Sequence, residues 1–269
     1  MKIRDFSPIK AEDGNYSLEN RVRGTLRYGF AWYREMQSQQ FVINRLNRIL
    51  GKEYVLLRNI RLPDLDISVP FILVGPPGVS VIYAEGNKGV YHAKSETWLE
   101  LESRGQGFKD AHPNLITRTL MMSRAAASFV SREDFVLEVE GVLVMTHPGT
   151  HVESNRPAVR VVLRDAIERL ATQISSQPDI LDQVEIQRLV DKFTTAHEAV
   201  LEEKEQERGA LAREARTSIR TAENRVEGVL SKLQRTFNFT PRQWLILLTA
   251  IVAEVIILII FIIIIFLSS

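Results

Sequence analysis

The stretch that most restricts the fold is Phe71 to Gly89, FILVGPPGVSVIYAEGNKG. Two runs of β-branched and aromatic residues flank Gly75-Pro76-Pro77-Gly78, and Asn87-Lys88-Gly89 turns the chain again. Strand formers bounded by Gly and Pro read as antiparallel strands joined by tight turns. Gly accepts backbone angles closed to other residues, and Pro presets its own. Upstream, residues 24 to 50 carry Trp32, Met36, Phe41, Ile43, Leu46 and Ile49 at helical spacing, and EYVLLRNIRLP follows as a strand. Downstream, TWLELES reads as a strand, NLITRTLMMSRAAASFV as a helix, EGVLVMTH and AVRVVL as strands, and RDAIERLATQI as a closing helix. The expected unit is an α/β domain over residues 22–177, preceded by an N-terminal tail, 1–21. That tail is interrupted by charges and has no apolar h-region, so it is not a secretory signal.

A different regime begins after SSQPD. From Ile180 to Phe237 there is no proline, and apolar residues recur at Ile186, Val190, Phe193 and Val200. Ala212, Ala215, Ile219, Ala222, Val226, Val229 and Leu233 then step by three and four, as in a heptad seam. Residues 178–240 therefore read as a helical stalk, with Gly209 in the polar stretch LEEKEQERGALARE as a hinge. Two arrangements fit it: a coiled coil that self-associates or takes a partner helix, and a helix or hairpin packed on the α/β domain.

Residues 241–269 are expected to anchor the chain. From Trp244 to Leu267 the sequence is apolar for roughly 24 residues, which at about 1.5 Å per residue exceeds a ~30 Å hydrocarbon core. Arg220, Arg225, Lys232, Arg235 and Arg242 precede this run and nothing charged follows it. The expectation is a tail-anchored, single-pass transmembrane helix with the N-terminal domain facing the cytoplasm. Trp244 would sit at headgroup level, and Glu254 would be protonated or bonded to a partner helix.

The remaining composition excludes more than it assigns. Zero cysteines in 269 residues rule out disulfides, thiolate metal sites and a cysteine nucleophile. With 34 Lys and Arg against 33 Asp and Glu, bulk charge draws in no polyanion without a local patch. His147 and His151 are separated by Pro148-Gly149-Thr150, which denies them helical metal-pair geometry. His112 precedes Pro113 in a turn, His92 and His197 have no partner in sequence, and Gly75-Pro-Pro-Gly78 lacks the Lys of a phosphate loop.

Leu57-Arg-Asn-Ile-Arg-Leu-Pro63, the run around Gly75 to Gly78, the Asn87-Lys88-Gly89 turn and Trp98 form an ordered series. It continues through His112-Pro113-Asn114 and VEGVLVMTH to VRVVLRDAIERL. Over most of residues 35–175 the series resembles the nuclease-related domain family, NERD. That resemblance implies the restriction-endonuclease-like fold of the PD-(D/E)XK nucleases, an α/β fold with a mixed sheet flanked by helices. Members hold a divalent ion with an Asp on one strand and a Glu on the next, beside a Lys. Counted through the shared turn, the Ile-Asp-His of the family falls on Val69, Pro70 and Phe71, its Glu on Tyr83 and its Lys on Glu85. Its helix glutamate falls near Gln39 or Gln40, and its glutamine has no clear counterpart near Thr117 and Arg118.

The resemblance with these replacements implies a catalytically inactive, membrane-tethered interaction or scaffold module without a cofactor. One alternative is a Mg²⁺-dependent nuclease with a migrated site of Asp66, Glu85 and Lys88, since carboxylates supply hard oxygen ligands. Another is a non-cleaving nucleic-acid binder using Arg104, Lys109, Arg118 and Arg124.

Overall fold

Strands in the middle of the chain are buried on both faces, and this explains their near-continuous apolar sequence. A computed structural model describes residues 1–7, 18–63, 65, 67–102, 107–236, 242, 245–246, 248–250, 252–254 and 256, with the backbone alone at 18, 28 and 212–236. The strands are β1 (Lys2–Asp5), β2 (Val55–Ile60), β3 (Val69–Gly75), β4 (Gly78–Glu85), β5 (Val90–Ser95), β6 (Thr97–Leu101), β7 (Phe108–Asp110), β8 (Val139–Met145), β9 (His151–Pro157) and β10 (Arg160–Leu163). The helices are α1 (Leu18–Ile49), α2 (Leu115–Arg132), α3 (Ile167–Ser175) and α4 (Gln183–Thr236), with a 3-10 turn over Arg164–Ala166.

A mixed six-stranded sheet runs β1-β2-β3-β4-β8-β10, and a second sheet runs β7-β6-β5-β9. In the first, β2, β3 and β4 form an antiparallel meander. The outer pairs β1–β2, β4–β8 and β8–β10 are parallel. The β3–β4 turn is tight: Gly75 pairs with Gly78, whose φ of 122° lies in the left-handed region that Gly enters at little cost.

Because side chains alternate along a strand, the large sheet separates two cores. Leu56, Phe71, Leu73, Ile82 and Val142 pack with Val42, Ile43 and Leu46 of α1 and with Ile167, Leu170 and Ile174 of α3. Leu57, Ile72, Val81 and Leu143 pack on the other side with Ile116, Met122 and Phe129 of α2. The second sheet extends that core through Tyr91, Ala93 and Trp98. Tyr91 stacks on Trp98 with ring centroids 4.7 Å apart. Asn114 caps α2 by accepting from the Thr117 amide at 3.0 Å, so this helix starts directly after the His112-Pro113 turn.

Several expectations are revised. The tail 1–21 contains strand β1, which lies along β2 with Lys2 opposite Val55 and Asp5 opposite Arg58. β9, whose HVESNRP sequence is largely exposed and lacks an apolar face, was not anticipated. The stalk expected over 178–240 starts inside the domain. The chain divides into two compact units, Met1–Lys204 and Glu205–Ser269, and Ile186, Val190, Phe193 and Val200 are buried in the first. Phe193 stacks on Phe129 of α2 at 4.8 Å. A capping box sets the start of α4: Asp182 accepts from the Val184 and Glu185 amides at 2.8 Å, and Glu185 accepts from the Asp182 amide at 2.9 Å. The seam from Ala212 to Leu233 lies outside the residues whose side chains are described.

The transmembrane helix expected over 244–267, with its tail-anchored, single-pass, cytoplasm-facing topology, is corrected. Among the described residues no helix is long and apolar enough to cross a membrane. The long helices α1 and α4 carry charges throughout. Within the apolar region the described helical positions are the stretches 245–246, 248–250, 252–254 and 256. Glu254 lies on one of them, whereas Trp244 and Leu267 fall outside the described residues.

If the start of α4 is part of the core, Phe193→Ala costs about 3–5 kcal/mol of unfolding free energy, read from the shift in the denaturant midpoint. A helix merely resting on the surface predicts a loss within about 0.5 kcal/mol.

Candidate functional site

Polar groups gather where β4 leaves the sheet. Gly86 follows the strand, and a Cβ there would stand 2.4 Å from the Ser38 hydroxyl, so its absence lets α1 reach the strand exit. Thr146, after β8, places its hydroxyl 2.9 Å from that of Ser38 and 3.1 Å from the Glu85 carbonyl. Helix α2 closes the group from the other side with Arg118.

Of the positions singled out through the family resemblance, Pro70, Phe71 and Tyr83 are buried. Phe71 joins the core shared with α1 and α3. Phe71 stands opposite Ile82. The Tyr83 ring faces the α2 side, with the Arg118 guanidinium 5.2 Å from its centroid. Its hydroxyl donates to Glu85 Oε2 at 3.4 Å, and Glu85 Oε1 accepts from the Gly86 amide at 2.8 Å. Burial first, and then the Glu85 charge, hold the Tyr83 hydroxyl well above its ordinary titration range, so it stays a neutral donor.

Sequence reasoning missed Glu35. It lies on α1 one turn before Gln39 and accepts from Gln39 Nε2 at 3.3 Å. Its pKa is raised, chiefly by desolvation and further by the Glu85 charge, while Arg118, Gln39 and Arg58 oppose the shift. The residue as a whole remains exposed, so water partly screens the carboxylate. The available signal was its i, i+4 spacing from Gln39, which places both on one helix face.

Gln39 belongs to a closed buried network. Arg58, 2% exposed, donates from Nε to Gln39 Oε1 at 2.7 Å and from Nη1 to Asp5 Oδ2 at 3.2 Å. Asn59 donates to Ser7 Oγ at 2.6 Å and accepts from Gln39 Nε2 at 3.0 Å. Its φ of 55° is left-handed, which Asn tolerates better than most residues. Beside this network opens a cleft of about 340 Å³ lined by Phe6, Trp32, Glu35, Asn59, Arg61 and His197, among others. His197 Nδ1 accepts from the Arg61 amide at 2.9 Å, and its ring packs 4.6 Å from Phe6. Burial and then the Arg61 charge lower its pKa, so the imidazole is neutral.

The other candidates do not join this group. Asp66 and Arg104 lie outside the described residues. Lys88 is exposed in the loop after β4, and His151 is exposed on β9. His147 accepts from the Gly149 amide at 2.9 Å. Lys109 is exposed on β7, and Arg124 pairs with Glu96 at 3.5 Å, both exposed. Among the described residues no cluster of three or more His, Asp or Glu could hold a metal ion.

A carboxyl whose pKa is raised by folding contributes stability that is full below its unfolded value, near 4.5, and lost as pH rises through the folded value. Glu35→Gln, which cannot ionise, therefore becomes progressively more stable relative to the parent as pH rises from about 4.5 towards neutrality. Paired thermal melts across that window read this directly; a difference independent of pH would refute the burial assigned to the carboxyl. A search of protein-family models finds no match to the chain, and comparisons with curated proteins and with solved structures find none either.

Proposed function

We propose that this chain is a catalytically inactive, nuclease-related (NERD-like) domain that serves as an interaction or scaffold module. The observation that carries the reading is the filling of the strand-exit site. The family's Asp and Glu positions correspond to Pro70 and Tyr83, both buried, and Arg118 covers the Tyr83 ring. Pro70 brings no oxygen ligand, and Tyr83 is held as a neutral phenol. Of the carboxylates that remain nearby, Glu35 feels the charge of Arg118, and Glu85 accepts from the hydroxyl of the ring that Arg118 covers. A guanidinium is not deprotonated in proteins, so the group already contains the cation that would offset its carboxylates.

Mg²⁺ demands near-octahedral oxygen coordination. A proline, a neutral phenol and two carboxylates beside a guanidinium do not fit that demand, so no hydrolytic step is derived through a metal. The candidates for a retained nucleic-acid surface also diverge: Arg118 turns towards Tyr83, while Arg124 pairs with Glu96.

In the sequence, Ala212 to Leu233 keeps a three-and-four apolar rhythm, and this supports the C-terminal part of α4 as the partner-binding element. Ala at several seam positions suits close helix–helix approach.

Two measurements test the proposal. Incubated with single- and double-stranded DNA and RNA in Mg²⁺ or Mn²⁺, the purified chain leaves the substrates intact at the same background as Glu85→Ala. Metal-dependent cleavage that disappears in Glu85→Ala overturns the inactive reading, and salt-sensitive binding without cleavage replaces it with a nucleic-acid binder. In sedimentation, the chain self-associates and Val226→Glu with Val229→Glu reduces it to monomer; a parent that is monomeric at all concentrations removes the self-associating stalk.

A further inference from the structure

The cleft between α1, the end of β2 and the first part of α4 borders the strand-exit group through Glu35, and the rest of its lining lies outside that group. The amide floor is saturated. Gln39 Oε1 accepts from Arg58 and Asn59, and Gln39 Nε2 donates to Glu35 and Asn59. Both Asn59 Nδ2 donors are used, one on Ser7 and one on Gln39. Ser7 in turn donates its hydroxyl to Asp5 Oδ1 at 2.5 Å.

Three groups around this floor keep free capacity. Among the described residues, Glu35 Oε2 makes no hydrogen bond, and the Arg61 guanidinium makes none and no ion pair. His197 uses Nδ1 as an acceptor, which places the proton of the neutral ring on Nε2. The cleft thus offers an anionic acceptor on α1 and cationic and neutral donors from Arg61 and His197. Trp32, Met36, Phe6 and Leu201 supply apolar wall. The volume, about 340 Å³, lies at the small end of ligand pockets.

We propose that this cleft binds a free apolar α-amino acid, its ammonium on Glu35, its carboxylate on Arg61 and the Nε2 proton of His197, and its side chain against Trp32 and Met36. The charges balance, since one carboxylate and one guanidinium meet one ammonium and one carboxylate. Two opposed partners in one cleft discriminate a zwitterion from a molecule carrying either charge alone, because the missing group leaves its partner unmatched. The inference does not depend on the nuclease relationship, and cleavage assays leave it untouched.

The test is calorimetric titration of the full chain with L-phenylalanine, L-leucine and L-tryptophan, and with two truncated probes. Phenylalaninamide lacks the carboxylate, and 3-phenylpropionate lacks the ammonium. The expected result is saturable binding of at least one amino acid, about tenfold or more tighter than either truncated probe. Glu35→Gln weakens the amino acid and the amide by a similar factor and leaves 3-phenylpropionate unchanged, which also shows that the variant is folded. Arg61→Gln gives the converse pattern. Absence of saturation by all three amino acids at millimolar concentration overturns the proposal, as does binding that neither substitution changes.

Discussion

The large sheet is covered on both faces, and the placement of the remaining polar groups follows from that constraint. A strand buried on two sides satisfies its backbone through the ladder but offers no water to its side chains, so β3 is apolar throughout and β4 is so from Val81 to Ile82, with Ser80 at a half-buried position. Polar side chains collect where α1 and α2 reach past the end of β4. Tyr83 marks the transition: its ring completes the α2-side core while its hydroxyl reaches Glu85, the last residue of the strand. An aromatic with one polar tip suits a position that is dry at one end and wet at the other.

Arg58 is the exception within the layer, and it orders a part of the chain that has little core of its own. A guanidinium 2% exposed must be both paired and hydrogen-bonded, because an isolated buried charge is far costlier than the pair. Its partners arrive from two directions: Asp5 on β1 and Gln39 on α1. β1 is four residues long, with only Ile3 apolar inside it, so hydrophobic burial alone gives it weak registration. The ion pair, the parallel ladder to β2 and the Ser7–Asn59 bond together hold the N-terminus against the domain. The left-handed Asn59 is a consequence of the same network, since that backbone turns the amide towards Ser7 and Gln39.

These features explain which parts were legible in the sequence. The β3–β4 hairpin was, because two-sided burial writes an apolar run and a tight turn writes Gly and Pro. The helices α1, α2 and α3 were, through their period and through Asn114 before α2. β1 and β9 were not: an edge strand held by one ladder needs no apolar alternation, and KIRD and HVESNRP show none. The first part of α4 was read as stalk because a core-facing stripe and a coiled-coil seam share the same three-and-four spacing. Nothing local in Ile186, Val190 and Phe193 says whether Phe129 or another helix faces them. For the apolar C-terminal run, hydropathy alone implied a span, whereas among the described residues no helix is long and apolar enough for one. At the site, Pro70, Tyr83 and Glu85 were placed from the turn, but Glu35 and Arg118 meet only through the fold.

Glu35 joins the two polar regions, and its electrostatics connect them. On one side it responds to Glu85 and Arg118, and on the other it borders the cleft with Arg61 and His197. Desolvation and the neighbouring carboxylate push its proton on, while the guanidiniums and the Gln39 hydrogen bond pull it off, with a net upward shift. A cation arriving in the cleft favours the ionised form, and an ionised Glu35 in turn repels Glu85 more strongly and attracts Arg118. By linkage, any effect of a bound cation on the placement of Arg118 is matched by an equal effect of that placement on cation affinity. Among the described residues, Glu35 is therefore the one carboxyl that feels both the Tyr83–Arg118 group and the lining of the cleft.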